Sequence, residues 1–162
     1  MSYHPVVNKI ISILNEKNIE FETFEHEPVR TSQEAASIRP GYTQSQGAKA
    51  LIVRAKISNT DKQFVMVVVP GDKKFDSKKL RAALSAKDIR FATESEVGEI
   101  TGGVLPGGVP PFGNLFGLQT YVDHGLYQNQ KIIFNAGDKR FSIAMNLGDY
   151  DRIVKPTKQD IC

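Results

Sequence analysis

The chain has 162 residues, 40% of them hydrophobic and 24% charged, with 21 basic against 18 acidic side chains and a formal charge of +3. That length supports a full core without staples, and the small charge excess permits a nucleic-acid partner without demanding one. A lone cysteine, Cys162, rules out an internal disulfide framework, and the lack of a charged-then-apolar leader or of an apolar run near ~18 residues predicts a soluble, cytoplasmic protein with no membrane partner.

In chain order, Pro5 to Asn18 predicts a first helix, with Val6, Val7, Ile10, Ile11 and Leu14 at helical spacing behind a first-turn proline. Phe21 to His26 alternates as a short strand. Thr31-Ser32-Gln33-Glu34 carries a capping-box pattern that opens a short helix through Ala36, and Pro40-Gly41 stops it. Two apolar, β-branched runs, Ala48 to Ile57 and Gln63 to Val69, predict a hairpin across Ser58 to Lys62. The second has no polar face over Phe64 to Val69, so it belongs in the middle of a sheet covered on both sides. Asp76 caps a helix to Leu84, Ile89 to Ala92 is a short strand, and Thr93-Glu94-Ser95-Glu96 is a second capping box for a helix to Ile100. Further strands are expected at Leu115 to Val122, Lys131 to Asn135 and Phe141 to Met145, then a helical turn over Asn146 to Ile153. The whole reads as one α+β domain over residues 1–162 around a mixed sheet, its core spanning about 4–154, with a polar C-terminal tail on which Cys162 sits at a frayed end.

Between Gly102 and Gly113, five residues are glycine and three are proline. Such a run continues neither a helix nor a central strand. It is either a structural crossover or a stiff loop whose bare amides hold a carbonyl, carboxylate or phosphate. Lys49 is the sharpest single residue. Strand alternation sets it with Leu51, Val53, Ala55 and Ile57, away from Arg54 and Lys56. A lysine on that apolar side snorkels past the sheet edge, binds an anionic ligand, or serves as a Schiff-base amine. His26 and Thr31 flank the proline-pinned connection Glu27-Pro28-Val29-Arg30. His26 is a base, a ligand donor or a plain surface histidine, whereas capping accounts for Thr31. The cations from Lys73 to Arg81 form a solvated helix face or a landing strip for phosphates. Asp123 and His124 lie in no Gly-x-Ser-x-Gly context, and the three histidines lack paired metal-ligand spacing, so neither a serine triad nor a metal is expected.

Gly-Ala-Lys-Ala-Leu-Ile-Val at 47–53, Val-Val-Val-Pro-Gly-Asp at 67–72, Gly-Gly-Val-Pro-Pro-Phe-Gly at 107–113 and Phe-Asn-Ala-Gly at 134–137 follow in that order. Together they resemble the YbaK/prolyl-tRNA-synthetase-associated family of aminoacyl-tRNA deacylases, from His26 to about Ile153. The resemblance implies a mixed, partly barrel-like β-sheet surrounded by helices, and a free-standing trans-editing domain that hydrolyses the ester of mischarged tRNA without a cofactor. It places Lys49 at the 3′-terminal adenosine. It gives backbone groups of Gly107, Gly108 and Pro111 the aminoacyl carbonyl, and puts His26, Thr31, Val109, Pro110, Phe112, Asp123, Ala136 and Gly137 around the aminoacyl moiety. The partners implied are the aminoacylated tRNA end and a synthetase; DNA is not expected. The segment Arg39 to Gly47 resembles the branch that removes serine or threonine, with alanine and cysteine as the other options. A non-catalytic module that binds the aminoacyl end beside a synthetase is the alternative.

Overall fold

The computed structural model describes residues 2–28 and 31–162. Helical apolar spacing produces α1 (Pro5–Glu16), which buries Val6, Val7, Ile10 and Leu14. The His4 ring caps it, Nδ1 accepting from the Val6 N–H at 3.1 Å. The helix ends at Glu16 rather than Asn18, where φ of 55° turns the chain left-handed.

The described strands form two sheets. β1 (Phe21–Glu25), β6 (Lys131–Asp138) and β7 (Phe141–Asn146) make an antiparallel sheet in the order β1-β7-β6. β2 (Ala48–Lys56), β3 (Lys62–Pro70), β4 (Asp88–Phe91), β5 (Thr120–Asp123) and β8 (Thr157–Gln159) make a mixed sheet in the order β4-β2-β3-β5-β8. The α+β class holds, but the barrel-like expectation is corrected: one described β-bridge, Gly47 to Ile133, links the sheets by backbone pairing, and they do not close. β3 sits in the middle, as its unbroken apolar run requires, and Val65 to Val69 are all buried.

Between the sheets lies the main core, where Ala48, Ala50 and Ile52 of β2 meet α1, Val109, Phe112, Phe134 and Tyr150. On the other face of the mixed sheet, Val53, Val65, Val67 and Val69 pack under Leu80 of α3 (Ser77–Leu84) and Ile161. Strand alternation therefore serves two cores, one on each face of β2. Local caps match their sequence signals. The Asp76 carboxylate accepts from the Lys78 and Lys79 amides at 2.8 and 3.2 Å, and Thr93 with Glu96 forms a reciprocal box at the start of α4 (Glu94–Thr101). α5 (Leu147–Val154) occupies the expected final helical turn. The remaining helix, α2 (Ser32–Ile38), runs past Ala36 and stops before Arg39-Pro40-Gly41.

Two further expectations fail, each for a physical reason. The strand placed at Leu115 begins only at Thr120, because Gly113–Phe116 coils into a 3₁₀ turn closed by Gly117 at φ 69°. The C-terminal tail is not frayed. β8 pairs in parallel with β5, and Ile161 is 0% exposed, with its carbonyl accepting from the Asp76 N–H at 2.7 Å. Apolar residues scattered among polar ones leave no periodic signal, yet one isoleucine finding a pocket anchors the segment.

Candidate active site

The Gly/Pro loop starts where Gly102, at φ 74°, ends α4. The Thr101 hydroxyl reaches back to the Val97 carbonyl at 2.7 Å and accepts from the Val104 N–H at 3.0 Å, so the exit is pinned. Gly107, at φ 88°, makes the turn in which the Gly108 N–H donates to the Leu105 carbonyl at 2.9 Å. Beyond it the chain sinks. The Pro111 carbonyl accepts from the buried Tyr150 hydroxyl at 2.6 Å, and Phe112 sits between Phe134 and Tyr150 with ring centroids 5.4 and 5.6 Å away. The result is a loop with a rigid root and an exposed tip at Gly107. The N–H groups of Gly107 and Val109 donate to no described residue.

A polar chain runs to that tip from the antiparallel sheet. The Asn135 amide nitrogen donates to the Gly107 carbonyl at 2.8 Å, while its oxygen accepts from Arg39 Nη2 at 2.8 Å. Arg39 Nε donates to the Ser142 hydroxyl at 3.1 Å, and that hydroxyl lies 2.7 Å from His26 Nε2. His26 Nδ1 faces the Glu27 carbonyl at 2.9 Å. A carbonyl only accepts, so a neutral His26 carries its proton on Nδ1 and accepts at Nε2 from the Ser142 hydroxyl, whose other acceptor within reach is the Asn135 oxygen at 3.3 Å. Register explains the assembly. Asn135 stands opposite Ser142 across the β6–β7 hairpin, and the main-chain bond from the His26 N–H to the Arg140 carbonyl at 2.9 Å continues β1 along β7.

Arg39 is the unusual member. It is 6% exposed, its hydrogen-bond partners are the Asn135 amide and the Ser142 hydroxyl, and among the described residues it has no carboxylate partner. Burial draws its pKa down to about 10, so it remains a cation at neutral pH. A guanidinium removed from water and left without a counterion is costly, which makes this a place ready for negative charge.

The other sequence-predicted residues separate into groups. Lys49 shares the β2 face of Val53, opposite Ala48 and Ala50, and its described hydrogen bond runs to the Lys73 carbonyl at 3.5 Å. No described hydrogen bond joins it to the Gly107–Pro111 loop. Asp123 is buried in structural work: one oxygen accepts from the Gly125 N–H at 2.8 Å, the other from the Ile161 and Cys162 amides at 3.0 and 3.2 Å. Val109, Phe112 and Ala136 belong to the main core, and Pro110 is buried beside them. Gly137, at φ 117°, lies under α1, where a Cβ would run into the Val6 methyl. Thr31 caps α2, accepting from the Glu34 N–H at 3.1 Å. Val29 and Arg30 of the connecting segment lie outside the described residues. No cluster of metal-ligating side chains occurs among the described residues. Arg39, Asn135 and Ser142 escaped the reading of single residues, although Asn135 lies inside the Phe-Asn-Ala-Gly run and Arg39 directly precedes Pro40-Gly41.

Comparison with known proteins agrees with this architecture. The multifunctional Ser/Thr-tRNA deacylase ProXp-y of Escherichia coli K12 is 32% identical over 149 residues, covering 91% of this chain and 87% of that protein. A proline–tRNA ligase of Bacillus licheniformis is 37% identical over 99 residues, covering 60% of this chain but 16% of the ligase. The solved structure of a candidate trans-editing enzyme for prolyl tRNA synthetase superposes with a TM-score of 0.82 at 23% identity, covering 99% of this chain and 98% of that one. Residues 26–153 match the aminoacyl-tRNA editing domain, and the chain belongs to that family.

Proposed function

We propose that this chain is an aminoacyl-tRNA deacylase, hydrolysing the ester that joins a wrong amino acid to the 3′ end of tRNA. The observation that carries the reading is the buried Arg39 cation, wired through Asn135 to the carbonyl of Gly107 beside two unengaged loop amides. Water adds to the ester carbonyl carbon, and the oxygen takes up the negative charge. The N–H groups of Gly107 and Val109 donate to it, each worth about 10²–10³ in rate for a donor of this kind. Collapse of the intermediate expels the ribose oxygen, which regains a proton, and leaves the amino acid as its carboxylate. The ester is already activated, so the vicinal ribose hydroxyl suffices to orient the water. Arg39 stabilises the negative charge from behind the loop, through the dipole of Asn135. Asn135 also fixes the tip in the donating conformation.

Lys49 contacts the 3′-terminal adenosine through its phosphate. It is half-buried, and one long hydrogen bond holds it, so it exchanges that carbonyl for an anion at little cost. His26 and Thr31 border the aminoacyl moiety. The name of the E. coli relative and the character of Arg39 to Gly47 both favour serine or threonine as the residue removed. Discrimination by a synthetase against an added hydroxyl reaches only about 10², so a second hydrolytic site has a use.

The test is release of amino acid from tRNAs charged with serine, threonine, alanine or cysteine at micromolar enzyme. Hydrolysis of at least one, seryl- or threonyl-tRNA first, is expected. Salt-sensitive tRNA binding with no turnover across the panel would replace the hydrolase by a binding module.

A further inference from the structure

A cavity of about 490 Å³ opens beside the Gly107 turn, with Gly108 in its wall. Its lining is largely apolar, including Pro28 and Leu105, and Leu105 is 60% exposed. The polar groups around it are already engaged. His4 Nε2 donates to the Gly102 carbonyl at 2.8 Å while Nδ1 accepts from the Val6 N–H, and the Asp138 carboxylate is held by Arg140 at 2.8 and 2.9 Å.

Lys139 is the exception. It is half-buried and pairs with no carboxylate among the described residues. Its side chain lies flat across the loop tip, with Cε 2.9 Å and Nζ 3.5 Å from the position a Gly107 Cβ would take. Glycine at 107 is needed for its φ of 88°, whereas the flexible end of the lysine could yield to a Cβ.

We infer that this cavity receives the nucleotide preceding the ester-bearing adenosine, its base on the apolar lining and its phosphate on the Lys139 ammonium. The inference rests on the deacylase reading, because the same loop would touch both nucleotides. Charge complementarity selects the phosphate, and continuity with the loop selects the adjacent nucleotide. With His4, Asp138 and Arg140 occupied, no described side chain is left to read base edges, so the pocket accepts either a purine or a pyrimidine there.

Two substrates separate the outcomes: seryl-tRNA, and the seryl ester of adenosine, which lacks the preceding nucleotide. Lys139→Ala and Lys139→Glu should raise KM for the tRNA several-fold while leaving hydrolysis of the adenosine ester unchanged. The salt dependence of kcat/KM should flatten by about one unit of slope. Lys139→Arg should restore most of the loss, and Leu105→Ala should weaken the tRNA alone by roughly five- to tenfold. Equal losses on both substrates would mean that the cavity holds the acyl-adenosine itself, and the inference would be wrong. Full activity of Lys139→Glu on tRNA would also overturn it while leaving the deacylase reading intact. If the unaltered chain hydrolyses neither ester, binding of the trinucleotide CCA decides. Lys139-dependent binding keeps the subsite without the hydrolase, and no binding removes both.

Discussion

Two cations flank the start of β2, and their settings differ. Arg39 is almost wholly buried, within 3.9 Å of where a Gly47 Cβ would stand, and neutral partners grip it on Nε and Nη2. Lys49, on the next stretch of the same chain, is half-buried and holds one carbonyl at 3.5 Å. A planar guanidinium with fixed hydrogen bonds keeps a charge in one place, whereas a flexible ammonium with a weak bond follows a ligand. Under the proposed function, the first supplies pre-set electrostatics and the second captures a moving RNA end.

Replacing the buried cation should have the largest effect. Arg39→Met removes a charge and the 2.8 Å donor to the Asn135 oxygen, leaving that oxygen only the longer bond from the Ser142 hydroxyl at 3.3 Å, so we expect a stability loss of about 1–3 kcal/mol. Deacylation should fall by about 10²-fold or more, the magnitude of one lost oxyanion-stabilising group. Chemical denaturation and single-turnover rates measure the two together; an Arg39→Met chain with normal turnover would erase the contrast.

Lys49→Ala should leave the unfolding midpoint in place and greatly slow tRNA deacylation. Its tRNA affinity should become less salt-dependent by about one unit of slope. A large drop in stability instead would make Lys49 a structural residue like Arg39.

The third experiment concerns the neighbourhood of Lys49. Burial, with Asp123 as a further cause, pushes the Cys162 thiol up to about 12, so it should react slowly with a disulfide reagent at pH 8. Asp123→Ala frees the Ile161 and Cys162 amides, and we expect about 1–3 kcal/mol of lost stability with a much faster thiol reaction. Unchanged thiol reactivity would show that the tail is held by other means.

The smallest expected effect lies far from both cations. The Arg90 guanidinium and the Thr93 amide hold the Glu96 carboxyl down to about 2, from 4.5. Its contribution is therefore complete above about pH 4.5 and fades as pH falls toward 2. Glu96→Gln should lose stability at pH 6 and converge on the parent chain near pH 2 in parallel thermal melts.

The Gly/Pro loop, the caps at Asp76 and Thr93, the central position of β3 and the family itself were legible in the residues. Each rests on interactions within a few positions or on an unbroken pattern along one strand. The Leu115 strand failed because glycine at 113 and 117 allowed a tighter turn than the apolar pattern suggested. In the candidate site, the loop and His26 stand out in the sequence, but the residues that join them by hydrogen bonds do not. Arg39 meets Asn135 across 96 positions and Ser142 across 103, and no local spacing encodes such a meeting.

By itself, then, the sequence determined where helices start, which run is central and which loop is stiff, because backbone hydrogen bonding and side-chain size decide these locally. Only the tertiary structure decided that Lys49 faces the smaller core, that Arg39 is sealed from water, and that the tail is clamped by Asp123. Those outcomes depend on which surfaces meet when two sheets pack, and a charge's environment is set by everything within reach in space.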